Sequence, residues 1–221
     1  MSLSADSISK VLSAAMSIKI ERGFTTVSRL AERLLLGTFE SRDIVSSLLK
    51  MGLLVRRGSK IYVSDSGRRK IRVVMTGGVF DLIHVGHMAT LEEARRLGDM
   101  LVVVVARDTS VQRAKGRKPV NGELSRLRVV RGLRPVDAAV LGNRIDMYRV
   151  ALELRPDVIA LGYDQEHSEM RIARELRSRE LRTQVKRLRV QVPGVKTSNI
   201  MSLIGSQSIL RRGRPRDRVK P

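Results

Sequence analysis

The sequence predicts an α/β fold in which a small helical domain precedes a doubly wound, parallel sheet of five strands. Short apolar segments such as residues 71–75 and 100–106 are typical of strands that are buried on both faces. Amphipathic segments of helical length separate these strands, and such alternation produces parallel sheets with right-handed crossovers. Helical periodicity dominates residues 1–68 instead, which marks them as a separate domain.

The composition excludes several classes of protein. The 221 residues include no cysteine, so disulfides and thiolate metal sites are excluded. No apolar run approaches the roughly 20 residues that span a membrane. The first residues lack the pattern of a signal peptide. We therefore expect a cytoplasmic protein that does not contact membranes.

The chain is strongly basic, with 43 Lys and Arg against 22 Asp and Glu and a net charge of +21. Such a charge favours polyanionic partners, either nucleotides or nucleic acid. The alternative explanation is the charge-rich surface of a thermophilic protein. Because the excess is spread along the chain, it does not by itself locate a binding site.

Residues 1–68 contain three amphipathic helices, which end near Gly23, Gly37 and Gly52, followed by a short hairpin with its turn at residues 56–60. This order resembles a winged helix-turn-helix domain. The resemblance implies DNA binding through the third helix and the hairpin. The candidate DNA-binding residues are Arg42, Ser46, Lys50, Arg56, Arg57 and Lys60. The third helix has no Asn or Gln for reading base edges, so a dimerisation or packing module is the alternative.

After a polar segment at residues 64–70, which we predict to be a linker, strands and helices alternate. Ligands of doubly wound sheets bind at the carboxyl ends of the strands. The segments expected there are residues 77–87, 108–118, 162–165 and 196–199. The further predicted elements are strands at 138–141, 158–161 and 184–192, helices at 123–133, 146–154 and 166–179, a basic loop at 107–121, and a last helix from 198.

One segment combines the residues most suited to phosphate chemistry. The first strand ends at Gly77 and Gly78, and a helix begins near His84 and His87. The amino end of a helix binds phosphate, and two imidazoles on its first turn can donate hydrogen bonds to phosphoryl oxygens. The sequence around the two histidines offers no third ligand, so we do not predict a metal site there.

The residues Gly77-Gly78-Val79-Phe80-Asp81, followed by His84, Gly86 and His87, resemble the first signature of the nucleotidyltransferase superfamily that contains cytidylyltransferases and adenylyltransferases. The segment 196–200, with Thr197 and Ser198, is similar to its second signature. The resemblance implies a Rossmann-like nucleotidyltransferase domain over residues 69–210.

Within that superfamily, the segments 103–108, 134–137 and 161–165 resemble archaeal FAD synthases. This implies the reaction of ATP with FMN to give FAD and pyrophosphate. Two alternatives remain open. One is a CTP-dependent cytidylyltransferase acting on a polyol phosphate, although Gln191 stands where those enzymes carry an arginine. The other is a transcription regulator that senses a flavin or a nucleotide.

The resemblance also implies roles for individual residues. His84 and His87 would stabilise charge on the triphosphate, and Lys115 would neutralise its phosphates, with Arg113, Arg117 and Lys118 as alternatives. Asp81 would position Mg²⁺ or orient a histidine. We expect Mg²⁺ to accompany ATP, no tightly bound cofactor, and a homodimer. The candidate nucleotide-binding residues are Gly77, Gly78, Val79, Phe80, Asp81, Gly86, Gly162, Tyr163, Asp164, Thr197 and Ser198.

The last residues, 211–221, are basic and contain the sequence Arg-Gly-Arg-Pro. This resembles an AT-hook, a peptide that lies in the narrow minor groove of A·T-rich DNA. The alternative, which we favour, is a disordered basic tail.

Overall fold

The structure is a computed structural model that describes residues 3–165, 167–193 and 200. Its first part contains three helices, a hairpin and a short helix. Its second part contains five strands alternating with helices. The elements are α1 (Ala5–Arg22), α2 (Val27–Leu34), α3 (Thr38–Lys50), β1 (Leu54–Arg57), β2 (Lys60–Val63), α4 (Asp65–Arg68), β3 (Val73–Gly78), α5 (Val85–Arg95), β4 (Met100–Val105), α6 (Asp108–Lys115), α7 (Glu123–Arg131), β5 (Ala138–Leu141), α8 (Arg149–Leu154), β6 (Val158–Leu161), α9 (Glu169–Ser178) and β7 (Gln184–Arg187).

The five strands β3 to β7 form one sheet in the order β5-β4-β3-β6-β7, and every neighbouring pair is parallel. The predicted doubly wound fold is therefore confirmed. Because β3 lies at the centre, the chain moves first to one side, through β4 and β5, and then to the other. This reversal between β3 and β6 opens a crevice at their carboxyl ends.

Helices cover both faces of the sheet. Side chains of successive residues in a strand point to opposite faces. On one face Val74 packs in a cluster with Leu91 of α5 and Val130 of α7. On the other face Met75 packs in a cluster with Leu176 of α9. The continuous apolar composition of β4, and of residues 73–75 of β3, follows from this burial on both sides.

The first part of the chain has the predicted order of three helices and a hairpin. Strands β1 and β2 pair antiparallel across a two-residue turn in which Gly58 has φ 60°. An isolated bridge joins Thr25 to Ile61 of β2. The inner face of α3 contributes Val45 and Leu48 to the core beneath it. The assignment to the winged-helix class itself stays a prediction.

Helix α1 joins the two parts through a shared core. Its residues Val11 and Leu12 lie in the same apolar cluster as Val73, Met100 and Ala138, which begin strands β3, β4 and β5. Helix α1 therefore covers part of the sheet near the amino ends of these strands. The boundary near residue 68 separates two segments of chain, but the apolar core continues across it.

Polar contacts support the same junction. The carboxylate of Glu21 accepts a hydrogen bond from the Ala139 amide at 3.4 Å and forms an ion pair with Arg131 at 3.4 Å. Arg33 of α2 donates to the carbonyl oxygen of Asp137. Ser13 donates to the carbonyl oxygen of Asp99 at 3.4 Å. All of these partners lie at or near the amino ends of β4 and β5, or on α7 beside them.

The prediction of a linker at residues 64–70 is wrong. The Ser64 hydroxyl caps α4 by accepting from the Gly67 amide at 3.0 Å. A Cβ on Gly67 would lie 2.1 Å from the Leu53 carbonyl oxygen, so only glycine fits this close approach. Arg68 donates to the carbonyl oxygen of Arg155 and to the carboxylate of Asp157. A polar, serine-capped segment thus forms a fixed connection.

Several predicted boundaries were also wrong. The basic loop expected at 107–121 contains helix α6, which ends at Gly116 with φ 68°. The strand expected at 184–192 ends at Arg187, and α8 begins at Arg149 rather than at 146. Leu124 is spaced like the buried Leu127 and Val130 of α7, yet it is 70% exposed. The helix expected from residue 198 and the tail at 211–221 lie outside the described residues. No described helix is long and apolar enough to span a bilayer.

Candidate active site

The loop after β3 turns sharply between the strand and α5. Phe80 has φ 52°, an uncommon value for a residue with a side chain. A Cβ on Gly78 would lie 2.9 Å from the Phe80 ring, so the turn requires glycine there. Phe80 is buried, and its ring centroid lies 5.4 Å from that of His87. The two glycines and Phe80 therefore shape the wall against which His87 packs.

His84 and His87 form a stacked pair at the start of α5. His84 is the N-cap residue and His87 lies in the first turn, with the ring centroids 4.0 Å apart and the planes tilted by 38°. Both Nδ1 atoms are buried and have no hydrogen-bond partner in the described part of the chain. A buried nitrogen without a partner costs free energy. This pair is therefore suited to a ligand that supplies hydrogen-bonding groups.

The pKa of His87 is lowered to about 4, mainly by burial and also by the neighbouring His84 and Lys115, while Asp164 acts in the opposite direction. Burial also lowers the pKa of His84, again opposed by Asp164. Both imidazoles are therefore neutral at pH 7. Lys115 ends α6 and Asp164 follows β6, and the charges of both act on the pKa of His87. Arg117, a predicted alternative to Lys115, lies instead 4.0 Å from Asp81.

Binding of a triphosphate is expected to raise the lowered pKa of His87. Because an adjacent negative charge favours the imidazolium, His87 should take up a proton when the nucleotide binds near neutral pH. The affinity should then rise as the pH falls towards 5. Titration calorimetry in buffers of different ionisation enthalpy should detect this uptake. A His87→Asn variant that still takes up the proton would contradict the assignment.

Asp81 does not have the predicted role. One carboxylate oxygen accepts from the Val120 amide at 2.9 Å and the other from the Asn121 amide at 2.8 Å. The Asn121 side chain donates to the Asp81 carbonyl oxygen at 2.8 Å. Asp81 is 7% exposed, so its carboxylate fixes the segment before α7, and none of its described hydrogen bonds goes to a histidine. Sequence position alone could not distinguish these roles.

Arg126 is a residue of the site that sequence reasoning missed. It is 1% exposed, and its guanidinium donates to the carbonyl oxygens of Val79, Ala106 and Asn121. It also pairs with Asp108 at 2.6 Å. One side chain on α7 therefore joins the loop after β3, the end of β4, the start of α6 and the segment before α7. The only indication of this role in the sequence was that Arg126 shares a face of the predicted helix with Leu127 and Val130.

The end of β6 is fixed to the end of β3. Gln165 donates from its side chain to the Gly77 carbonyl oxygen at 2.8 Å. Arg187 of β7 donates to the carbonyl oxygens of Gly162 and Gln165. Tyr163 is partly exposed and Asp164 exposed at the crevice between the two strands. Gln165 was not predicted as a site residue, yet it joins the segments on either side of the crevice.

The carboxylates near the histidines limit where Mg²⁺ could bind. Each Asp81 oxygen already accepts a hydrogen bond from a backbone amide, whereas Asp164 is exposed after β6. The described residues contain no group of three His, Asp or Glu side chains that could hold a metal ion. Mg²⁺ is commonly held by one or two carboxylates together with the phosphates of a substrate. The site fits an ion that arrives with the triphosphate.

Thr197 and Ser198 lie outside the described residues. The chain that leads towards them is attached to α5, where the Glu93 carboxylate accepts from the amides of Arg189 at 3.0 Å and Val190 at 2.8 Å. The candidate DNA-binding residues are far along the chain from the histidines. All six are exposed, on α3 and on the β1–β2 hairpin.

Comparisons with known proteins identify the family of the chain. The family model described as cytidylyltransferase-like matches residues 75–212. The FAD synthase of Aciduliprofundum boonei is 52% identical over 116 residues, which are 52% of this chain and 77% of that protein. The FAD synthase of Thermoplasma acidophilum is 43% identical over 139 residues, which are 61% of this chain and 97% of that protein.

A solved structure extends the comparison to three dimensions. The crystal structure described as a lipopolysaccharide core biosynthesis protein from Thermoplasma volcanium is 39% identical, with a TM-score of 0.53, over 55% of this chain and 99% of that chain. The resemblance drawn from the two glycines and two histidines is thereby confirmed. The chain belongs to the cytidylyltransferase-like family of nucleotidyltransferases, and its relatives within that family include archaeal FAD synthases.

Proposed function

We propose that this protein transfers the adenylyl group of ATP to the phosphate of FMN, which yields FAD and pyrophosphate. The observation that carries the proposal is the stacked pair of neutral histidines with unpartnered, buried Nδ1 atoms at the start of α5. The archaeal relatives are named FAD synthases, which supplies the product, and the family resemblance implies ATP and FMN as the substrates.

The reaction needs no nucleophile from the protein. A phosphate oxygen of FMN attacks the α-phosphorus of ATP, and the bond from that phosphorus to the oxygen bridging to the β-phosphate breaks. Pyrophosphate then leaves with the bonding electrons. Catalysis consists mainly of positioning the two phosphates in line and stabilising the negative charge that develops on the oxygens.

The residues of the site suit these tasks. His84 and His87 would donate hydrogen bonds to the α-phosphate and to the leaving oxygens, and Lys115 would neutralise the triphosphate. Backbone amides near Gly77 and Gly78 and at the start of α5 would contact phosphate oxygens. Tyr163 and Asp164 follow β6, where they could contact the base of the nucleotide. Thr197 and Ser198 would donate hydrogen bonds to the β and γ phosphates.

Mg²⁺ belongs to this proposal as the partner of ATP. Its charge would neutralise the departing pyrophosphate, and Asp164 is the residue that would hold it. We place the reaction in the cytoplasm, where ATP is supplied. We also propose a homodimer, which sedimentation of the full-length protein would test.

The alternatives have less support. A cytidylyltransferase acting on a polyol phosphate would share the histidine pair, but the FAD synthase relatives do not favour it. A regulator that only senses a flavin or nucleotide would not require both histidines.

Pyrophosphate release tests the proposal. The enzyme with Mg²⁺ should receive ATP or CTP, each combined with FMN, glycerol 3-phosphate or pantetheine phosphate. We expect release only with ATP and FMN, together with FAD in equal amount by chromatography. Release with CTP and glycerol 3-phosphate, or no release with ATP and FMN, would overturn the assignment of substrates.

A further inference from the structure

The first part of the chain carries a cluster of cations that the proposed reaction does not use. Arg42 and Lys50 lie two turns apart on α3, and Arg56, Arg57 and Lys60 lie on the β1–β2 hairpin beside it. All five are exposed, and within the described residues none of them forms an ion pair with a carboxylate. We call this cluster the α3–hairpin surface.

Aromatic rings help to hold the hairpin cations in place. The Lys60 ammonium lies 4.7 Å from the centroid of the Phe24 ring, on which the Arg29 guanidinium also stacks at 4.2 Å. The Arg57 guanidinium lies 5.8 Å from the Tyr62 ring. Such contacts reduce the side-chain freedom that binding would otherwise remove. Cations held in this way are suited to contact a polyanion.

The shape of the surface favours a DNA duplex. Helix α3 has 13 residues and exposes Arg42, Ser46 and Lys50 along one face, since residues four apart lie above one another. The major groove of B-form DNA admits a helix, whereas the deep, narrow major groove of an RNA duplex does not. Cations on the neighbouring hairpin would then contact phosphates beside the groove.

The surface lies away from the nucleotide site. The first part of the chain contacts the amino ends of β3, β4 and β5 through Val11, Leu12 and Glu21. The histidines, in contrast, follow the carboxyl end of β3. The six residues of β3 separate these ends by roughly 17 Å. DNA and nucleotide would therefore not compete for the same groups.

We propose that the α3–hairpin surface binds duplex DNA and that it does so while the nucleotide site remains accessible to ATP and FMN. Its contacts are with phosphates for the most part, because α3 carries no Asn or Gln. The binding should therefore depend strongly on salt.

The test uses the full-length protein and fluorescein-labelled duplex DNA from upstream of its own gene, followed by anisotropy at several salt concentrations. In Arg42→Ala/Lys50→Ala/Arg56→Ala we expect the affinity to fall at least tenfold. The slope of log affinity against log salt should become shallower by roughly 3, one for each lost contact. The matched control, Arg171→Ala/Arg174→Ala/Arg177→Ala, removes the same charge from exposed positions of α9 and should change the affinity less than threefold.

Three further outcomes would overturn the proposal. Displacement of the DNA by ATP at constant ionic strength would place it at the nucleotide site instead. Equal losses in the two triple variants would show attraction by net charge alone, and loss of binding on removal of residues 211–221 would assign it to the tail. An RNA duplex of the same sequence should bind more weakly. Binding is measured without catalysis, so this proposal and the proposed reaction can fail separately.

Discussion

Replacing His87 with alanine is expected to lower kcat about 100- to 1,000-fold, equivalent to about 3–4 kcal/mol of barrier, because such losses follow removal of one donor that stabilises developing charge. His87 packs between Phe80 and His84, and burial keeps it neutral before the nucleotide binds. An Nε2 or Nδ1 hydrogen held in this position can be aimed at the α-phosphate before the reaction begins. Rapid-quench measurement of FAD formation at saturating ATP and FMN would give the rate.

His167 provides the matched control for this variant. It is exposed, and in its only described hydrogen bond the backbone carbonyl oxygen accepts from Arg187. His167→Ala should retain wild-type kcat. The variant His87→Asn, which keeps a donor of similar reach, should recover part of the activity. Turnover of His87→Ala within threefold of wild type would show that His87 does not stabilise the transition state.

Replacing Arg126 with methionine is expected to destabilise the folded protein by about 3–5 kcal/mol, because it leaves several carbonyl oxygens inside the protein without a donor. Its guanidinium satisfies the carbonyl oxygens of Val79, Ala106 and Asn121 inside the protein. Loss of the side chain leaves those oxygens without a donor. For a chain of this size the melting temperature should fall by roughly 10 °C.

Two comparisons isolate the role of the Arg126 guanidinium. Arg126→Lys should restore little stability, since a single ammonium cannot reach acceptors arranged around a planar fork. Arg128→Ala, an exposed position on the same helix, should change the free energy of unfolding by no more than about 0.5 kcal/mol. Thermal denaturation at fixed pH measures all three variants. A stable Arg126→Met protein would show that the network is dispensable.

The sequence predicted the sheet well because its signals are local. Residues 100–105 are continuously apolar, and burial on both faces of a parallel sheet requires this. In a parallel sheet the carboxyl ends of all strands lie at one edge. The glycine loop after β3, the chain after β4 that includes α6, and the segment after β6 were therefore predicted to meet there. The histidine pair was found because its two members lie three residues apart.

The misassigned elements depended on contacts between distant segments. Residues 64–70 are polar, yet residues 65–68 form helix α4, and Arg68 donates to the Asp157 carboxylate. Leu124 matches the helical period, but nothing in the described structure covers it, so it is exposed. Such outcomes depend on which surfaces meet after folding, and local propensity carries no information about them.

Local sequence patterns were sufficient to predict the doubly wound sheet and the histidine pair after its first strand. They were also sufficient to identify the resemblance to nucleotidyltransferases. The roles of Asp81 and Arg126 depended on the folded arrangement, because each acts mainly through backbone atoms 20 to 47 residues away. The folded arrangement also decided that α1 shares a core with the sheet and that the α3–hairpin surface is left exposed. Burial and hydrogen bonding between segments remote in the chain determine these features, and both are properties of the folded chain.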